Sequence, residues 1–180
     1  MLLTQTITAL GNEPVTVAEV KVSARIDEDI TELDEQIKTL ITSTRLAAEH
    51  ECERQFLPYT LLLGFDSWPS GVLPVAPVTE LVGVEALDGT GWVPVDGFAL
   101  LQTICGTASV VYTGNPSELP ALPVLEGERV RAKVKVGCSE NIRAYIIAMV
   151  AHQLTAPSAG RQTSPPAYLA GLLDRERSWV

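Results

Sequence analysis

"NEPVTVAEVKVSARIDEDITELDEQI", residues 12–37, holds the strongest local signals in this 180-residue chain. Pro14 and Val15 precede Thr16, whose hydroxyl suits a helix N-cap. Glu19, three residues on, completes a capping box. Val17, Val20 and Ala24 then fall on one side of a short helix that the pattern ends near Arg25 or Ile26. Asp27, Glu28 and Asp29 follow as an acidic elbow. Carboxylates there complement the positive end of a helix dipole, so a second helix is expected to start at the elbow.

That second helix is the clearest periodic segment. Ile30, Leu33, Ile37, Leu40, Thr44 and Ala47 recur at alternating three- and four-residue steps, and Ile41 and Ala48 widen the stripe. Asp34 with Lys38 and Arg45 with Glu49 are opposite charges four residues apart, assigned to the other face. The helix is expected over 29–55, with Pro58 beyond its end. Too few heptads recur for a dedicated coiled-coil seam, so the segment reads as an amphipathic core helix.

From Pro58 the composition changes. Residues 58–137 carry 8 of the 12 prolines and 10 of the 13 glycines, which argues for strands and turns. "TLLLGFDSW" (60–68), "TELVGVEAL" (79–87) and "ASVVY" (108–112) are strand candidates. "LDGTGWVPV" (87–95) reads as a hairpin turning at Asp88-Gly89-Thr90-Gly91. "TGNPSELPALP" (113–123) is a long Pro-rich loop. "RVRAKVKVG" (129–137) alternates strictly, with Val130, Ala132, Val134 and Val136 facing one way and Arg129, Arg131, Lys133 and Lys135 the other. Helix returns in "SENIRAYIIAMVAHQL" (139–154), with Ser139 as its cap and Pro157 beyond it. "APSAGRQTSPP" (156–166) is a linker, and "AYLAGLLDRERSWV" (167–180) fits one short helix.

The expected architecture is α+β. Helices at 16–26, 29–55 and 140–155 surround a β-rich part at 58–137, with the terminal helices packed together and the β part a layer or insertion. Residues 1–156 form one domain, and 157–180 a linker with a tail. In that tail Tyr168, Leu169, Leu172 and Leu173 lie at helical spacing, with Trp179 near the end. The segment either folds back on the core or docks on a partner as a helix in a groove.

Composition narrows the function. Hydrophobic residues at 46% and charged residues at 19% are ordinary for a folded domain. No apolar run reaches the ~20 residues that span a bilayer, no basic segment follows Met1 as in a secretory signal, and three cysteines without a CxxC pair suit a reduced cytosol. Net charge is −9 and uneven: residues 1–54 hold 11 acids and 5 bases, residues 138–180 hold 3 and 4. Such a chain is a poor non-specific DNA binder, since phosphate neutralisation needs clustered Lys and Arg. The basic face at 129–135 holds the only bases between 55 and 137. It reads as the wet side of a strand, or as a contact for an acidic neighbour such as another copy's 27–35 elbow.

Catalytic signatures are missing. His50 sits in "EHECE", where a zinc HExxH motif would need His in place of Arg54. His152 shares a face with Tyr145 and Met149. The cysteines have no sequence-adjacent partner that would mark a thiolate, and no GxSxG, GxGxxG or P-loop occurs. No catalytic residue, metal site or cofactor is expected.

The order of these segments resembles a known family. "EPVTVAEVKVSARID" (13–27), then a helix running into "AAEHECERQFL" (47–57), is similar to the opening of the head–tail connector (adaptor) proteins of long-tailed bacteriophages. "LPVAPVTELVGVEALDGTGWVPV" (73–95) resembles that family's central segment, "NIRAYIIAMVAHQL" (141–154) its later helix, and "RERSWV" (175–180) its basic-Trp ending. Residues 98–127 match no part of it. The resemblance implies a non-enzymatic neck protein of the virion, assembled in the host cytoplasm as a ring beneath the portal. The family expectation is twelve copies, with the stopper or tail on the far side and DNA passing through without specific binding. Asp27, Glu28, Asp29, Arg129, Arg131, Lys133 and Lys135 are then candidates for the contact between copies. Tyr168, Leu169, Leu172, Leu173 and Trp179 are candidates for docking on the portal. Rival readings are a stopper or tail terminator, a small cytosolic enzyme using His152 or a cysteine, and a nucleic-acid module using residues 129–135.

Overall fold

The alternation at 129–137 becomes the middle strand of a sheet in the computed structural model, which describes residues 1–102, 107–155, 167–174 and Glu176. In chain order the elements are β1 (Leu2–Leu10), α1 (Val17–Ala24), α2 (Asp34–Cys52), β2 (Tyr59–Phe65), β3 (Val78–Leu87), β4 (Trp92–Pro94), β5 (Phe98–Gln102), β6 (Ala108–Tyr112), β7 (Val130–Val136), α3 (Glu140–Thr155) and α4 (Ala167–Asp174). The protein is α+β. It divides into two units, Met1–Gly11 with Pro58–Gly137 and Asn12–Leu57 with Cys138–Val180.

The first unit is built on a five-stranded antiparallel sheet of order β1-β2-β7-β3-β4. β7 is its middle strand, and its burial alternates as its sequence does: Val130, Ala132, Val134 and Val136 are buried, while Lys133 and Lys135 are exposed. The buried row joins Leu61 and Leu63 of β2 and Val78 and Val84 of β3 in one core, to which Ala108 and Val110 of the separate β5-β6 pair also belong. Each fully buried Val or Leu here contributes roughly 1.5–3 kcal/mol. Phe98 lies 5.6 Å from Trp68 and 5.2 Å from Tyr112, ring centre to ring centre. The Asp88–Gly91 turn forms as the sequence suggests. One Asp88 carboxylate oxygen accepts from the backbone N–H groups of Thr90 and Gly91 and from the Thr90 hydroxyl. Gly89 takes φ of +92°, where a side chain would be strained.

β1 departs from the expectation. Helices were expected at both ends, yet the chain opens with a strand along the edge of β2. From Leu3 to Leu10 every residue of β1 is exposed, so the strand carries no buried stripe to reveal it. Its start is pinned by the Met1 ammonium group on Asp66, and Gly11 N–H donates to the Pro58 carbonyl at 2.7 Å just beyond its end.

The second unit holds the four helices around Val20, Ile37, Ile41, Ala48, Ile142, Ile146 and Val150. α1 begins as read. Glu19 N–H donates to the Thr16 hydroxyl, and Thr16 N–H donates back to the Glu19 carboxylate at 2.7 Å. It ends where Arg25 turns left-handed at φ 57° and Ile26 N–H reaches the Lys21 carbonyl at 2.9 Å, a Schellman closure.

α2 starts at Asp34, not at residue 29, and stops at Cys52. Asp34 and Glu35 hold its positive end, and Asp27, Glu28 and Asp29 stay in an exposed connection. The cause is Lys21, 4% exposed on α1. Its ammonium group donates to the Glu28 carbonyl at 3.1 Å and forms an ion pair with Asp34 at 2.6 Å, folding the elbow back on α1. The charge pairs also change. Lys38 bonds Glu35 at 2.6 Å rather than Asp34. Arg45 and Glu49 do pair at 2.8 Å, but Arg45 is buried, not on a wet face. In α3 the Ser139 hydroxyl accepts from Ile142 N–H at 3.4 Å, as its cap position implies.

Candidate interaction surfaces

At the elbow, α1 and α3 meet through Arg143, whose guanidinium bonds Glu19 at 2.5 Å. The capping bonds from Thr16, first its backbone N–H and then its hydroxyl, hold the Glu19 carboxyl below its ordinary range, and Arg143 adds to this. Ala18, Val22, Ile26 and Ile147, with Glu19, Lys21, Asp27 and Glu28, line an open groove of about 660 Å³. Val22 is 79% exposed on it. A valine so placed leaves apolar area in water that a partner would cover. Lys21 and Glu19 are satisfied within the unit. The carboxylates of Asp27, Glu28 and Asp29 meet no cation among the described residues.

The strand face at 129–135 is far less basic than its sequence. Arg131 bonds Glu128 at 3.1 Å and lies 3.9 Å over the Trp92 ring. Lys135 bonds Glu80 at 2.7 Å, and Arg129 donates to the Pro123 carbonyl at 3.3 Å. Glu128 also accepts from the Thr4 hydroxyl of β1, which is the main reason its carboxyl lies below the ordinary range, with Arg131 second. Lys133 alone of the four has no partner among the described residues. It stands between half-buried Leu62 and Gly83, and next to Gly83 is exposed Val82, the extra residue of a β-bulge.

The tail is folded back. Leu169 and Leu173 are 0% and 1% exposed within the helical core, and Leu172 packs against the same cluster. Glu176 accepts from the Ser139 hydroxyl at 2.7 Å and from Arg54 at 3.4 Å. Leu169 and Leu173 are thus buried in their own unit, the fold-back alternative for the tail, while Leu172 is half-buried there. Tyr168 remains 69% exposed, and Trp179 and the 156–166 linker lie outside the described residues.

His50 is exposed on α2 and His152 half-buried on α3. Burial pushes the Cys138 thiol up to about 12, so it is protonated at neutral pH and a poor nucleophile. Cys52 is buried, and Cys105 lies outside the described residues. No group of three His, Cys, Asp or Glu side chains gathers among the described residues, and none of their helices is long and apolar enough to cross a membrane.

Sequence reasoning missed two buried cations, Lys21 and Arg45. Arg45 donates to Glu13 at 2.8 Å and 3.2 Å and to Glu49 at 2.8 Å. The other oxygen of Glu49 accepts from Phe56 and Leu57 N–H at 2.8 and 3.1 Å, which holds the turn after α2. The Arg45–Glu49 spacing was a visible signal for the pair but carried none for its burial.

No protein-family model matches the chain, and no curated protein matches it by sequence. Solved structures do match. A chain from the neck of the empty GTA particle computed with C6 symmetry aligns at TM-score 0.60 and 20% identity, over 99% of this chain and 97% of that one. The similarity is one of fold. A chain from the virion of the native gene transfer agent (GTA) particle aligns at TM-score 0.59 and 20% identity, with the same coverage. A third, from the neck of the native GTA particle computed with C12 symmetry, aligns at 0.55 and 18%, over 97% and 96%.

Proposed function

We propose that this chain is a structural, non-enzymatic subunit of a virion neck, and within it the head–tail connector (adaptor) that forms a ring on the portal. The observation carrying this reading is the end-to-end likeness of fold to chains from GTA necks, both chains being covered almost completely. Those necks were computed with C6 and C12 symmetry, which supports a ring of identical subunits, with twelve copies as the proposed number. The segment order that resembles the connector family agrees with the fold. In this reading one ring face meets the portal and the other the stopper or tail, and DNA passes through the centre. A net charge of −9 suits a channel wall that does not hold DNA.

The test is a stop codon at Glu13 in the home genome, followed by negative-stain microscopy of the lysate. Separate heads and free tails, with joined particles restored by the gene in trans, is the expected result. Intact tailed particles without the protein would overturn the proposal.

A further inference from the structure

Resting on the ring reading, we infer that neighbouring copies join by seating the Lys133 face of one sheet on the Val22 groove of the next copy's elbow, with Lys133 against Asp27 and Glu28. A closed ring needs a heterologous interface, two different patches that fit each other. The chain presents two such patches, each with what the other lacks.

The groove has an apolar floor, with Val22 79% exposed, and two carboxylates, Asp27 and Glu28, that meet no cation among the described residues. Its other charges are occupied, Lys21 by Asp34 and Glu19 by Arg143. Among the described residues the basic row of the sheet face has one cation without a partner, Lys133, with apolar surface beside it in Val82 and Leu62. A Cβ built on Gly83 would meet nothing within 4 Å, so the space next to Lys133 is open to an incoming surface. Arg131 and Lys135 are held by Glu128 and Glu80 on their own copy, so the attraction centres on one residue of the four-residue basic row. The apolar contact supplies the area. The ion pair contributes little affinity at an exposed site but sets the register, and it penalises a patch of like sign.

The experiment uses the genome with the Glu13 stop, complemented in trans by variants and scored for joined particles. Lys133→Glu, and separately Asp27→Lys with Glu28→Lys, are each expected to lower joined particles about tenfold, since like charges then oppose each other at every interface around the ring. Combining all three changes is expected to restore them. Val22→Glu, on the groove floor, is expected to fail even with the reversed charges. All four positions are exposed, and circular dichroism of each purified variant separates misfolding from lost assembly. Single reversals that join like the wild type, or losses the combined reversal does not relieve, would overturn this contact while leaving the ring reading in place. If the wild-type gene proves unnecessary for joining, the ring reading falls and the contact falls with it.

Discussion

Truncating Leu173 to Ala separates a tail that belongs to the subunit from one kept for a partner. Leu173 is 1% exposed and sits with Leu169, Cys52 and Ile146 in the helical core. Removing a fully buried leucine costs its transfer energy plus a cavity term, typically 2–5 kcal/mol, so about 3 kcal/mol is expected here. For a chain of this size each kcal/mol moves the melting point by roughly 2–4 °C, so the transition should fall by about 6–12 °C. Leu169→Ala should cost a similar amount, and the double variant less than the sum, because the two leucines share one set of neighbours. Tyr168→Ala is the internal control: 69% exposed on the same helix, it should shift stability by less than about 0.5 kcal/mol. The assay is urea unfolding of the purified subunit, followed at 222 nm where the helices dominate. If Leu173→Ala and Tyr168→Ala prove indistinguishable, α4 is not part of the core, and the docking role returns to its leucines.

Three further outcomes are expected. Glu13→Ala should cost about 1–3 kcal/mol, since it removes two of the three hydrogen bonds that hold the buried guanidinium of Arg45 and leaves only Glu49, whereas Glu13→Gln combined with Arg45→Met should recover most of that in the same urea assay. Stability should decline in acid: the Glu19 and Glu128 carboxyls are held below their ordinary range in the folded chain, so their contribution is present above about pH 4.5 and is lost as pH falls through their lowered values. Glu19→Gln and Glu128→Gln should flatten that part of a melting-point-versus-pH profile, and an unchanged slope would count against the hydrogen bonds assigned to them. At pH 8, iodoacetamide followed by peptide mass spectrometry should leave Cys52 and Cys138 unmodified in the native chain and alkylate both in urea, because burial keeps the Cys138 thiol protonated, with its pKa pushed up to about 12. Rapid native labelling of Cys138 would contradict that burial.

What could be read from the residues were features decided within a few positions of chain. The Thr16–Glu19 capping box, the hairpin turn at Asp88, the Ser139 cap and the alternation of β7 depend on local hydrogen bonding and on the two-residue period of a strand, so neighbouring residues suffice to reveal them. The Ile37, Ile41, Thr44 and Ala48 part of the α2 stripe was visible for the same reason, and with it the α+β class, whereas Ala47 is exposed and Ile30 is exposed ahead of the helix. Other features depended on what the fold brings from far away. β1 was hidden because an edge strand with both faces in water needs no apolar period; only pairing with β2, some fifty residues on, makes it a strand. The start of α2 was misplaced because dipole logic favoured acids at 27–29, while the buried Lys21 draws the chain into an elbow that delays the helix to Asp34. The row 129–135 looked basic because sequence shows charge without partners; Glu80 and Glu128 cancel two of its members only once β3 and the approach to β7 lie beside them. Charge and periodicity are carried by the sequence, but which charges remain free, and which leucines are already buried, is settled by long-range packing, and on that the interaction surfaces depend.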